Sequence, residues 1–594
     1  MNPIQVEVLT ARVLAASDKD LVSPLFGKAR AQPMRIIDLP LLPVGTIVSL
    51  EMDNDRRVID AKVLAEPATA AAAFYEILED LKIDPIYPAA VCSELEAMLA
   101  GDGGLKDVEL EDLRDLPFVT IDNQDSRDLD QAICLRRAEG ERSGYLLDYA
   151  LADAAFYVRP GTALFEEARR RGVTYYLPGF SVPMLPPALS EGLISLNPRL
   201  DRRALVFRMR LDDKGQVLDT VLAQCLIHSR AKLTYDGVQA FYDRPAESPL
   251  SGQAYSDVLD LLREVGELRI GLARARNVVQ FNRREIDIHT DPDGVRLAIR
   301  GHARNDCSMY NEQISLLCNT EGARLLLEHG KGPLVQPIFR VHDAPPPAAR
   351  DHLQRILRRM IALHELDDAL WSWRREEESL ADYLDRLPKG AAYARLRHAI
   401  ERQILLCNQR SMFKAEPGQH YALRVEAYSR FSSPMREIVG IFTHKEALEM
   451  LGLESPCLTA EEDEALREQI IQSANRAKRV QRDVEKRALK LAVDQLLRVD
   501  LLKDFEDRPV RKGTVLGLGR NRAYVELDSP PVELKIYLDD LAEELGERLL
   551  VDDDEVELRS SSGKLRLRVG DELMLRTSSY DEARGRWSLL PEQH

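Results

Sequence analysis

The sequence predicts an α+β protein of several domains: a strand-rich N-terminal region, a long mixed central domain and a small C-terminal β-barrel. The chain has 594 residues, which corresponds to roughly three to five domains of ordinary size. Strand patterns dominate both ends, whereas the middle combines strands with long helical patterns. Hydrophobic residues make up 45% of the chain, which is enough for several packed cores.

The N-terminal region, residues 1–66, is predicted to be strand-rich. Alternating polarity and β-branched residues mark three segments separated by proline and glycine: IQVEVLTARVL, GTIVSLEM and RVIDAKVLA. Residues 67–110 then hold a predicted pair of helices, AAAFYEILEDLK and PAAVCSELEAML, joined by IDPIYP. This pair fits either a helix–turn–helix or winged-helix module, which would suit a DNA-directed regulator, or a helical linker packed on the next domain.

Residues 111–507 are predicted to form one α+β domain with a mixed sheet and flanking helices. Strand patterns come first: LPFVTI, QAICLRR, GYLLDYALA and ALVFRMRLD. Long helical patterns dominate after about residue 303, including DHLQRILRRMIALHEL. After RPVRK, residues 508–594 show five short strand patterns. This density of short strands is typical of a small closed barrel of the OB type.

Composition narrows the class of protein without fixing its partner. The net charge is −17 and the pI about 5.3, but nucleic-acid binding requires only a local basic surface, so neither value excludes it. The seven cysteines form no CxxC pair, which favours a reducing compartment and argues against zinc ribbons. No apolar run approaches the roughly 20 residues of a membrane span, and the N-terminus lacks a secretion signal. A soluble, cytoplasmic protein without a membrane partner is predicted.

The segment TIDNQDSRDLDQAI, residues 120–133, concentrates carboxylates between two apolar strands. Asp122 ends the first strand, and Asp125, Asp128 and Asp130 follow before the second. Carboxylates held this close repel one another unless a cation neutralises them. In an extended chain Asp128 and Asp130 point the same way, and hard oxygen ligands suit Mg²⁺ or Mn²⁺.

Two other kinds of loop can also carry closely spaced aspartates. A calcium loop counted from Asp122 would need glycine at its sixth position and glutamate at its twelfth, where Arg127 and Ile133 stand. That interpretation is excluded. A solvated acidic turn without a metal remains an alternative on spacing alone.

Ordered motifs around this loop resemble the ribonuclease II/R family, whose catalytic domain is called the RNB domain. The loop resembles that family's signature of TID, an acid six residues later, and DxDD-A. Three further stretches follow in the family's order: residues 152–202, beginning ADAAFYVRPG and containing YLPGFSVPMLP, which is especially close to ribonuclease II; PIFRVHDAPP, 337–346; and GQHYALRVEAYSRFSSPMRE, 418–437. The resemblance covers about residues 111–507, and the C-terminal barrel is similar to the S1-type RNA-binding domain that follows in this family.

The resemblance implies processive 3′→5′ hydrolysis of single-stranded RNA to nucleoside 5′-monophosphates. By that resemblance Asp122, Asp128 and Asp130 hold a pair of Mg²⁺ ions, with Mn²⁺ as the other candidate, in two-metal phosphodiester hydrolysis. Arg436 matches the family's arginine that stabilises charge in the transition state, and Tyr176 matches the tyrosine that packs on the terminal nucleotide. The partner implied is RNA, bound mainly at single-stranded 3′ ends by a monomer, with residues 1–66 as a further nucleic-acid-binding domain.

The sequence departs from the family pattern at several positions. Gln131 stands where the family has a fourth acid, so it is a weaker candidate metal ligand. The family's stacking phenylalanine falls on Ile314, for which nearby Tyr310 is the expected substitute, and Gln481 replaces a glutamate that contacts RNA. After Arg436, the residues Glu437, Ile438 and Gly440 replace the usual Arg, Tyr and Asp. The sequence therefore supports a divergent active exoribonuclease, with an RNA-binding protein built on a decayed nuclease domain as the alternative.

Overall fold

The structure is a computed structural model. It describes residues 7–15, 21–27, 30–107, 109–138, 144–279, 281, 284–291, 294–330, 332 and 335–592. The start of the predicted strand IQVEVLTARVL, residues 4–6, lies outside the described residues. No helix in the described part of the chain is both long and apolar enough to cross a membrane.

The N-terminal region is strand-rich, as the alternation predicts. Its strands are β1 Glu7–Ala15, β2 Leu21–Pro24, β3 Met34–Arg35, β4 Ile47–Met52 and β5 Val58–Ala65. They form an antiparallel sheet in the order β3-β2-β1-β4-β5. Alternate residues Val48, Leu50 and Met52 of β4 are fully buried in a small hydrophobic core of this sheet.

Two helices follow, α1 Ala70–Leu81 and α2 Ala89–Leu99. The Thr69 hydroxyl accepts the amide of Ala72 and caps α1. On α2, Val91 is buried in the core of the following domain. The Glu94 carboxylate accepts backbone amides at the start of the next long helix. This packing matches the helical-linker alternative, and a winged helix is not confirmed.

The central region contains a mixed α+β arrangement, as predicted. Its elements in chain order are β6 Glu111–Asp112, β7 Val119–Asp122, β8 Gln131–Arg137, β9 Tyr145–Ala152, α3 Ala154–Tyr157, α4 Ala163–Arg171, β10 Tyr175–Leu177, β11 Phe180–Val182, β12 Asp201–Leu211, β13 Val217–His228, β14 Ala231–Thr234, α5 Tyr235–Asp243, α6 Ser256–Ala275, β15 Arg284–Thr290, β16 Leu297–Ala303, α7 Asp306–His329, β17 Phe339–Val341, α8 Pro347–Leu363, α9 Asp368–Trp371, α10 Leu380–Arg386, α11 Ala394–Cys407, β18 Met412–Lys414, α12 Ile438–Met450 and α13 Ala460–Arg498. A π-helix, Ala188–Leu193, and short 3₁₀ turns connect some of them.

Seven strands form the central sheet in the order β14-β7-β8-β9-β12-β13-β6. Side chains alternate across it, so both faces are buried. Ile133 and Tyr149 belong to a hydrophobic core shared with α6 and α7. Ala132 and Ala150, on the opposite face, belong to a core shared with α4, α12 and α13. The sheet is therefore the middle layer between two groups of helices.

The longest helix of the described residues, α13, connects distant parts of the chain. It begins at a capping box formed by Thr459 and Glu462. It contacts α1, α4, α12, β10 and β18. Gly172, just after α4, lies against this helix so closely that a Cβ there would approach the Ala477 Cβ to 2.7 Å. This helix therefore borders the surface where β10 and the end of α4 meet.

The C-terminal region has eight strands and one helix: β19 Val510–Gly519, β20 Arg522–Leu527, β21 Glu533–Tyr537, α14 Leu538–Leu545, β22 Leu549–Val551, β23 Glu557–Ser560, β24 Arg566–Arg568, β25 Glu572–Asp581 and β26 Arg586–Pro591. The five predicted strands are present, and β22, β23 and β26 are additional. They form one five-stranded and one three-stranded sheet, and a closed OB barrel stays a prediction. The core of this region also includes side chains of α8, α10 and α11, so apolar packing crosses the predicted boundary at residue 508.

Candidate active site

The acidic segment forms a loop at one end of the central sheet, between β7 and β8. Val119 and Ile121 of β7 are buried, and Asp122, the last residue of the strand, is partly exposed. The parallel pairing of β7 with β14 places Asp122 beside Thr234. The loop thus begins where the chain leaves the hydrophobic core, and its acidic side chains collect at the strand ends.

Two polar residues from outside the loop hold its backbone. The ammonium group of Lys232, on β14, donates a hydrogen bond of 3.0 Å to the carbonyl oxygen of Gln124. The hydroxyl of Ser195, which is fully buried, accepts the amide of Leu129 at 3.0 Å. Because the buried hydrogen bond to Ser195 is costly to break, the part of the loop around Leu129 has a defined shape.

Asp130 is the most enclosed carboxylate of the loop, with 1% of its surface exposed. Its Oδ1 accepts the backbone amide of Met435 at 2.9 Å, and its Oδ2 is ion-paired with Nε of Arg436. Burial raises the pKa of Asp130 to about 6; Arg436 opposes this rise, and the nearby Asp128 adds to it. A carboxylate so desolvated is stabilised when a further positive charge binds.

The other two aspartates lie close enough to interact with this one. Burial raises the pKa of Asp128, and the charge of Asp122 raises it further. The Asp128 Oδ2 accepts the hydroxyl of Tyr176 at 3.3 Å. The Asp122 Oδ1 accepts the Ser126 hydroxyl at 2.8 Å. The three carboxylates therefore form one electrostatically coupled group at the loop.

The guanidinium of Arg436 lies among these carboxylates. Desolvation lowers its pKa, but the negative charges of Asp130, Asp128 and Asp122 outweigh that effect and hold the pKa well above its usual value. Its carbonyl oxygen accepts the amide of Thr174 at 3.0 Å. The backbone and the Nε atom of this arginine are both fixed, so the remaining guanidinium donors have a defined direction.

Asn319, a fully buried residue of α7, supports the segment that carries Arg436. Its amide nitrogen donates to the hydroxyl oxygens of Tyr428 and Ser432, each at 2.9 Å. Its carbonyl oxygen accepts the backbone amides of Phe431 at 2.7 Å and Ser432 at 3.1 Å. One side chain thus satisfies four polar groups of the turn before Arg436.

Replacing Asn319 with alanine is expected to lower the free energy of unfolding by about 3–5 kcal/mol, because two buried amides lose their acceptor. The turn would relax, so kcat should fall more than RNA affinity. Denaturant unfolding and single-turnover cleavage measure the two effects. Thr320→Ala is the control, since among the described residues that hydroxyl bonds only Leu316 of its own helix; equal losses in both variants would contradict the role of Asn319.

The aspartates of the loop fit a hard divalent cation. Asp122, Asp128 and Asp130 offer carboxylate oxygens, the donors that Mg²⁺ and Mn²⁺ prefer. Burial and mutual repulsion raise the pKa values of Asp128 and Asp130, and a cation would relieve that repulsion. The residues present therefore suit a hard divalent cation.

In another acidic cluster, a lysine side chain already occupies the centre. Within the described residues, only Glu446, Glu449 and Asp463 bring three potential ligand atoms within 4.8 Å of one another. The ammonium of Lys445 donates to all three, at 2.7, 3.0 and 2.8 Å. This cluster is a buried ion-pair network that joins α12 to α13, and it does not compete with the loop as a cation site.

Comparison with known proteins identifies the family of the chain. Residues 110–451, more than half of the sequence, match the RNB domain. The chain belongs to the RNB family. This confirms the resemblance drawn from the motifs, and the RNB domain so defined includes the acidic loop, Tyr176 and Arg436.

Curated relatives of this RNB protein carry ribonuclease names. Ribonuclease R of Escherichia coli (strain K12) is 31% identical over 346 residues, which are 58% of this chain and 40% of the relative. Exoribonuclease 2 of Proteus mirabilis (strain HI4320) is 29% identical over 352 residues, 57% of this chain and 50% of the relative. The matches thus span half or less of the length of these relatives.

Solved structures share the fold beyond the RNB domain. Ribonuclease R of Mycoplasma genitalium, in complex with ribose-methylated single-stranded RNA, superposes with a TM-score of 0.79 at 18% identity, covering 98% of this chain and 89% of that one. Yeast Ssd1, described as a pseudonuclease, gives a TM-score of 0.60 at 14% identity, covering 94% and 68%. At these identities the likeness shows the fold alone.

Two residues singled out from the sequence, Gln131 and Tyr310, have hydrogen-bond partners other than the aspartates of the loop. The Gln131 side chain points to the opposite face of β8 from Asp130, and its carbonyl oxygen accepts the hydroxyl of Tyr149. Tyr310 is a residue of α7 that is 7% exposed and packs against α6. Its hydroxyl donates a hydrogen bond of 3.3 Å to Glu267. In this position its ring has no open face for a base.

Gln481 lies on α13 and is partly exposed, one helical turn after Lys478. It makes no hydrogen bond to any of the described residues, so its amide is free to meet a ligand. Its contact with RNA stays a prediction.

Sequence reasoning missed the supporting residues Ser195, Lys232 and Asn319. Ser195 lies inside a stretch quoted for its resemblance, but a serine there has no chemistry of its own to single it out. Lys232 belongs to a short strand directly before a helix, and Asn319 is one of many polar residues of α7, followed directly by Thr320 and Glu321. No local signal in the sequence therefore distinguished Asn319 from the other polar residues of this helix.

Proposed function

We propose that this chain is a metal-dependent 3′→5′ exoribonuclease that acts as a monomer on single-stranded RNA and releases nucleoside 5′-monophosphates. The observation that carries the proposal is the buried Asp130, which contacts Arg436 and interacts with Asp128 beside it. Two-metal phosphodiester hydrolysis uses metal ligands, and a phosphate-binding cation beside them stabilises the transition state; these residues offer both.

In this proposal Asp122, Asp128 and Asp130 would hold a pair of Mg²⁺ ions, which when bound supply an activated water and stabilise the leaving oxygen. Arg436 binds the scissile phosphate through the guanidinium donors that Asp130 does not use. Because Asp130 fixes the Nε atom, the guanidinium is oriented before RNA arrives. Less reorganisation is then needed in the transition state.

Tyr176 is the proposed stacking residue for the terminal base. The residue is 45% exposed, whereas its hydroxyl donates to Asp128 at 3.3 Å. A ring held at its polar end with an open face can stack on any base, and such stacking contributes roughly 1–3 kcal/mol. This contact would place the last nucleotide against the aspartates without selecting its sequence.

RNA as the substrate is supported by the relatives. Those in the sequence comparison are named ribonuclease R and exoribonuclease 2, and structures of the Mycoplasma genitalium protein hold single-stranded or double-stranded RNA. Residues 1–66 and 508–594 are proposed as further RNA-binding domains, the latter of the S1 type, because strand-rich regions flank the RNB domain on both sides.

A second candidate is an RNA-binding protein without nuclease activity. It is favoured by Gln131, an amide at the position of the family's fourth acid, whose carbonyl oxygen is occupied by Tyr149. The fold likeness to a pseudonuclease shows that the architecture alone does not establish cleavage.

A time course on 5′-labelled single-stranded RNA, with and without an adjoining duplex, distinguishes the two candidates. With Mg²⁺ or Mn²⁺ the labelled strand should shorten stepwise from its 3′ end, and chelation of the metal should stop the reaction. RNA that is bound but never shortened at any metal concentration would establish the binding-only candidate. The substrate with a duplex reports whether structured regions are degraded.

Gln131→Asp is expected to lower the Mg²⁺ concentration for half-maximal rate, on the order of two- to tenfold, because ligand charge tunes cation affinity. The Gln131 side chain lies on the opposite face of β8 from Asp130, so the added carboxylate would act on the ions through its charge, one residue along the chain from Asp130. The metal-induced rise in melting temperature provides a reading independent of activity. Gln131→Glu is the matched variant, since its longer side chain can still reach Tyr149; no shift in either would mean that this position faces away from the ions.

A further inference from the structure

A group of positive side chains surrounds Glu437, the residue that follows Arg436. Arg430 comes from the same segment, Arg340 from β17 and Lys478 from α13. We call these four residues the Glu437 cluster. They lie where β17, the segment before α12 and α13 converge, and none of them is assigned a role in hydrolysis above.

Within the Glu437 cluster, some polar atoms are hydrogen-bonded and others are not. The Oε1 atom of Glu437 accepts both Nη2 of Arg430, at 2.9 Å, and Nζ of Lys478, at 3.0 Å. Its Oε2 atom has no hydrogen-bond partner in the described residues, and neither has Nε of Arg430. The Nε of Arg340 donates instead to the Ser411 hydroxyl at 3.0 Å.

Positive charge exceeds negative charge in this cluster. Among the described residues, Glu437 is the only carboxylate within 4.0 Å of the Arg430 and Lys478 nitrogens, and no carboxylate lies within that distance of Arg340. Three cations therefore face one anion. Desolvation and the neighbouring arginines lower the pKa values of Arg340 and Lys478. Because one carboxylate does not neutralise three cations, the cluster keeps a net positive charge that an anion could offset.

The cluster is also open to solvent on one side. The Lys478 side chain is 27% exposed and the Arg430 side chain 22%, whereas Glu437 is 8% exposed. The carboxylate thus lies at the bottom and the cations form the rim. A rim of partly desolvated donors above a buried carboxylate offers charge-assisted hydrogen bonds to an anion arriving from solvent.

The Glu437 cluster is distinct from the place assigned to the scissile phosphate. Glu437 has extended backbone dihedral angles, φ −138° and ψ 124°, so its side chain and that of Arg436 point to opposite sides of the segment. Arg436 faces Asp130, whereas Glu437 faces α13. A phosphate held by the cluster would therefore be a second one, on the α13 side of the segment.

We propose that Arg340, Arg430 and Lys478 form a second phosphate-binding site, which takes either a backbone phosphate of RNA away from the scissile bond or the phosphate of a nucleoside monophosphate. The proposal rests on the proposed function, since it concerns the substrate or product of that reaction. Glu437 positions the cations and limits their affinity, which keeps a phosphate exchangeable in an enzyme that must move along its substrate.

Binding measured in chelator, where no cleavage occurs, tests the site. Lys478→Gln and Arg340→Gln are each expected to weaken binding of single-stranded RNA roughly three- to tenfold and to reduce the slope of log Kd against log salt by about 0.7. If the phosphate is that of a mononucleotide, RNA binding stays unchanged and adenosine 5′-monophosphate binds more weakly instead. Glu437→Gln should strengthen binding of whichever ligand is affected, because it removes the negative charge that opposes the phosphate.

Lys214→Gln is the matched control. That lysine lies in the exposed turn between β12 and β13, and the strand register places this turn at the opposite end of the sheet from Gln131. Melting temperatures establish that each variant is folded. If the cluster is only structural, Glu437→Gln and Lys478→Gln change stability but neither ligand, and the proposal is overturned.

These outcomes separate the second site from the proposed function. Wild-type protein that binds and shortens RNA, with variants that bind both ligands normally, would reject the second site alone. Wild-type protein that binds neither RNA nor adenosine 5′-monophosphate would reject both. Opposite changes in ligand affinity, stronger for Glu437→Gln and weaker for Lys478→Gln, would support the site, because a purely structural contact predicts no such opposition.

Discussion

Asp130→Asn is expected to reduce RNA hydrolysis by a factor of 10²–10³ or more, an order of magnitude typical for loss of one group that stabilises transition-state charge. RNA binding should persist. The carboxylate is buried and contacts Arg436 and the Met435 amide, so it faces the reacting phosphate more than the body of the RNA. An asparagine still accepts the Met435 amide, and the fold should remain intact.

The matched control is Asp125→Asn, an exposed carboxylate of the same loop. It changes the net charge equally, but it lies outside the group around Arg436. Single-turnover cleavage and equilibrium binding in chelator should show a large loss of rate for Asp130→Asn and near wild-type values for Asp125→Asn. The rise of melting temperature with Mg²⁺ should shrink only in the former. Equal loss of binding and cleavage would refute the role assigned to Asp130.

The acidic loop could be predicted from the sequence because its features are local. Asp122 to Asp130 span nine consecutive positions between two apolar strands, and period-two alternation relates the direction of Asp128 to that of Asp130. The same alternation, applied one residue further, sends Gln131 to the other face of β8. Its side-chain oxygen accepts the Tyr149 hydroxyl there, and a role for Gln131 as a metal ligand stays a prediction.

The supporting residues could not be predicted in this way, because their partners are remote. Asn319 and Phe431 are 112 positions apart, and no local pattern connects a polar residue of one helix with the backbone of a later turn. The burial of Tyr310 could not be predicted from local sequence either. Its ring packs where a Cβ on Gly266 would lie 2.5 Å away, so the interlocking of α6 and α7 decides its burial.

Strand patterns alone do not show which apolar side chains pack across a domain boundary. The strand patterns after residue 508 were visible, but the hydrophobic core of the C-terminal region includes Leu353, Tyr383 and Ile404 of the preceding helices. Gly570 adopts φ +97° and lies where a Cβ would approach Leu396 to 2.6 Å. Removal of residues 508–594 would expose these apolar surfaces, so it tests stability as well as RNA binding.

Arg436→Lys is expected to lower kcat by about 10²–10³-fold, equivalent to about 3–4 kcal/mol of transition-state stabilisation, with little change in RNA affinity. The guanidinium can hold Asp130 through Nε and still present further donors to a phosphate. Lysine keeps the positive charge but has one compact ammonium, which cannot serve both partners with the same planar geometry. The loss would therefore come from direction, not from charge.

Arg127→Lys provides the matched control for this substitution. Arg127 belongs to the acidic loop, its side chain is 79% exposed, and its nearest carboxylate is that of Glu191, at 3.7 Å. Pre-steady-state kinetics should show a slow chemical step for Arg436→Lys and a normal one for Arg127→Lys. If Arg436→Lys instead weakened RNA binding by the same factor as it lowered kcat, the guanidinium would contribute to RNA binding and not to stabilisation of the scissile phosphate. Both variants keep the positive charge and so leave the long-range attraction for RNA unchanged. The comparison therefore isolates the effect of guanidinium geometry at each position.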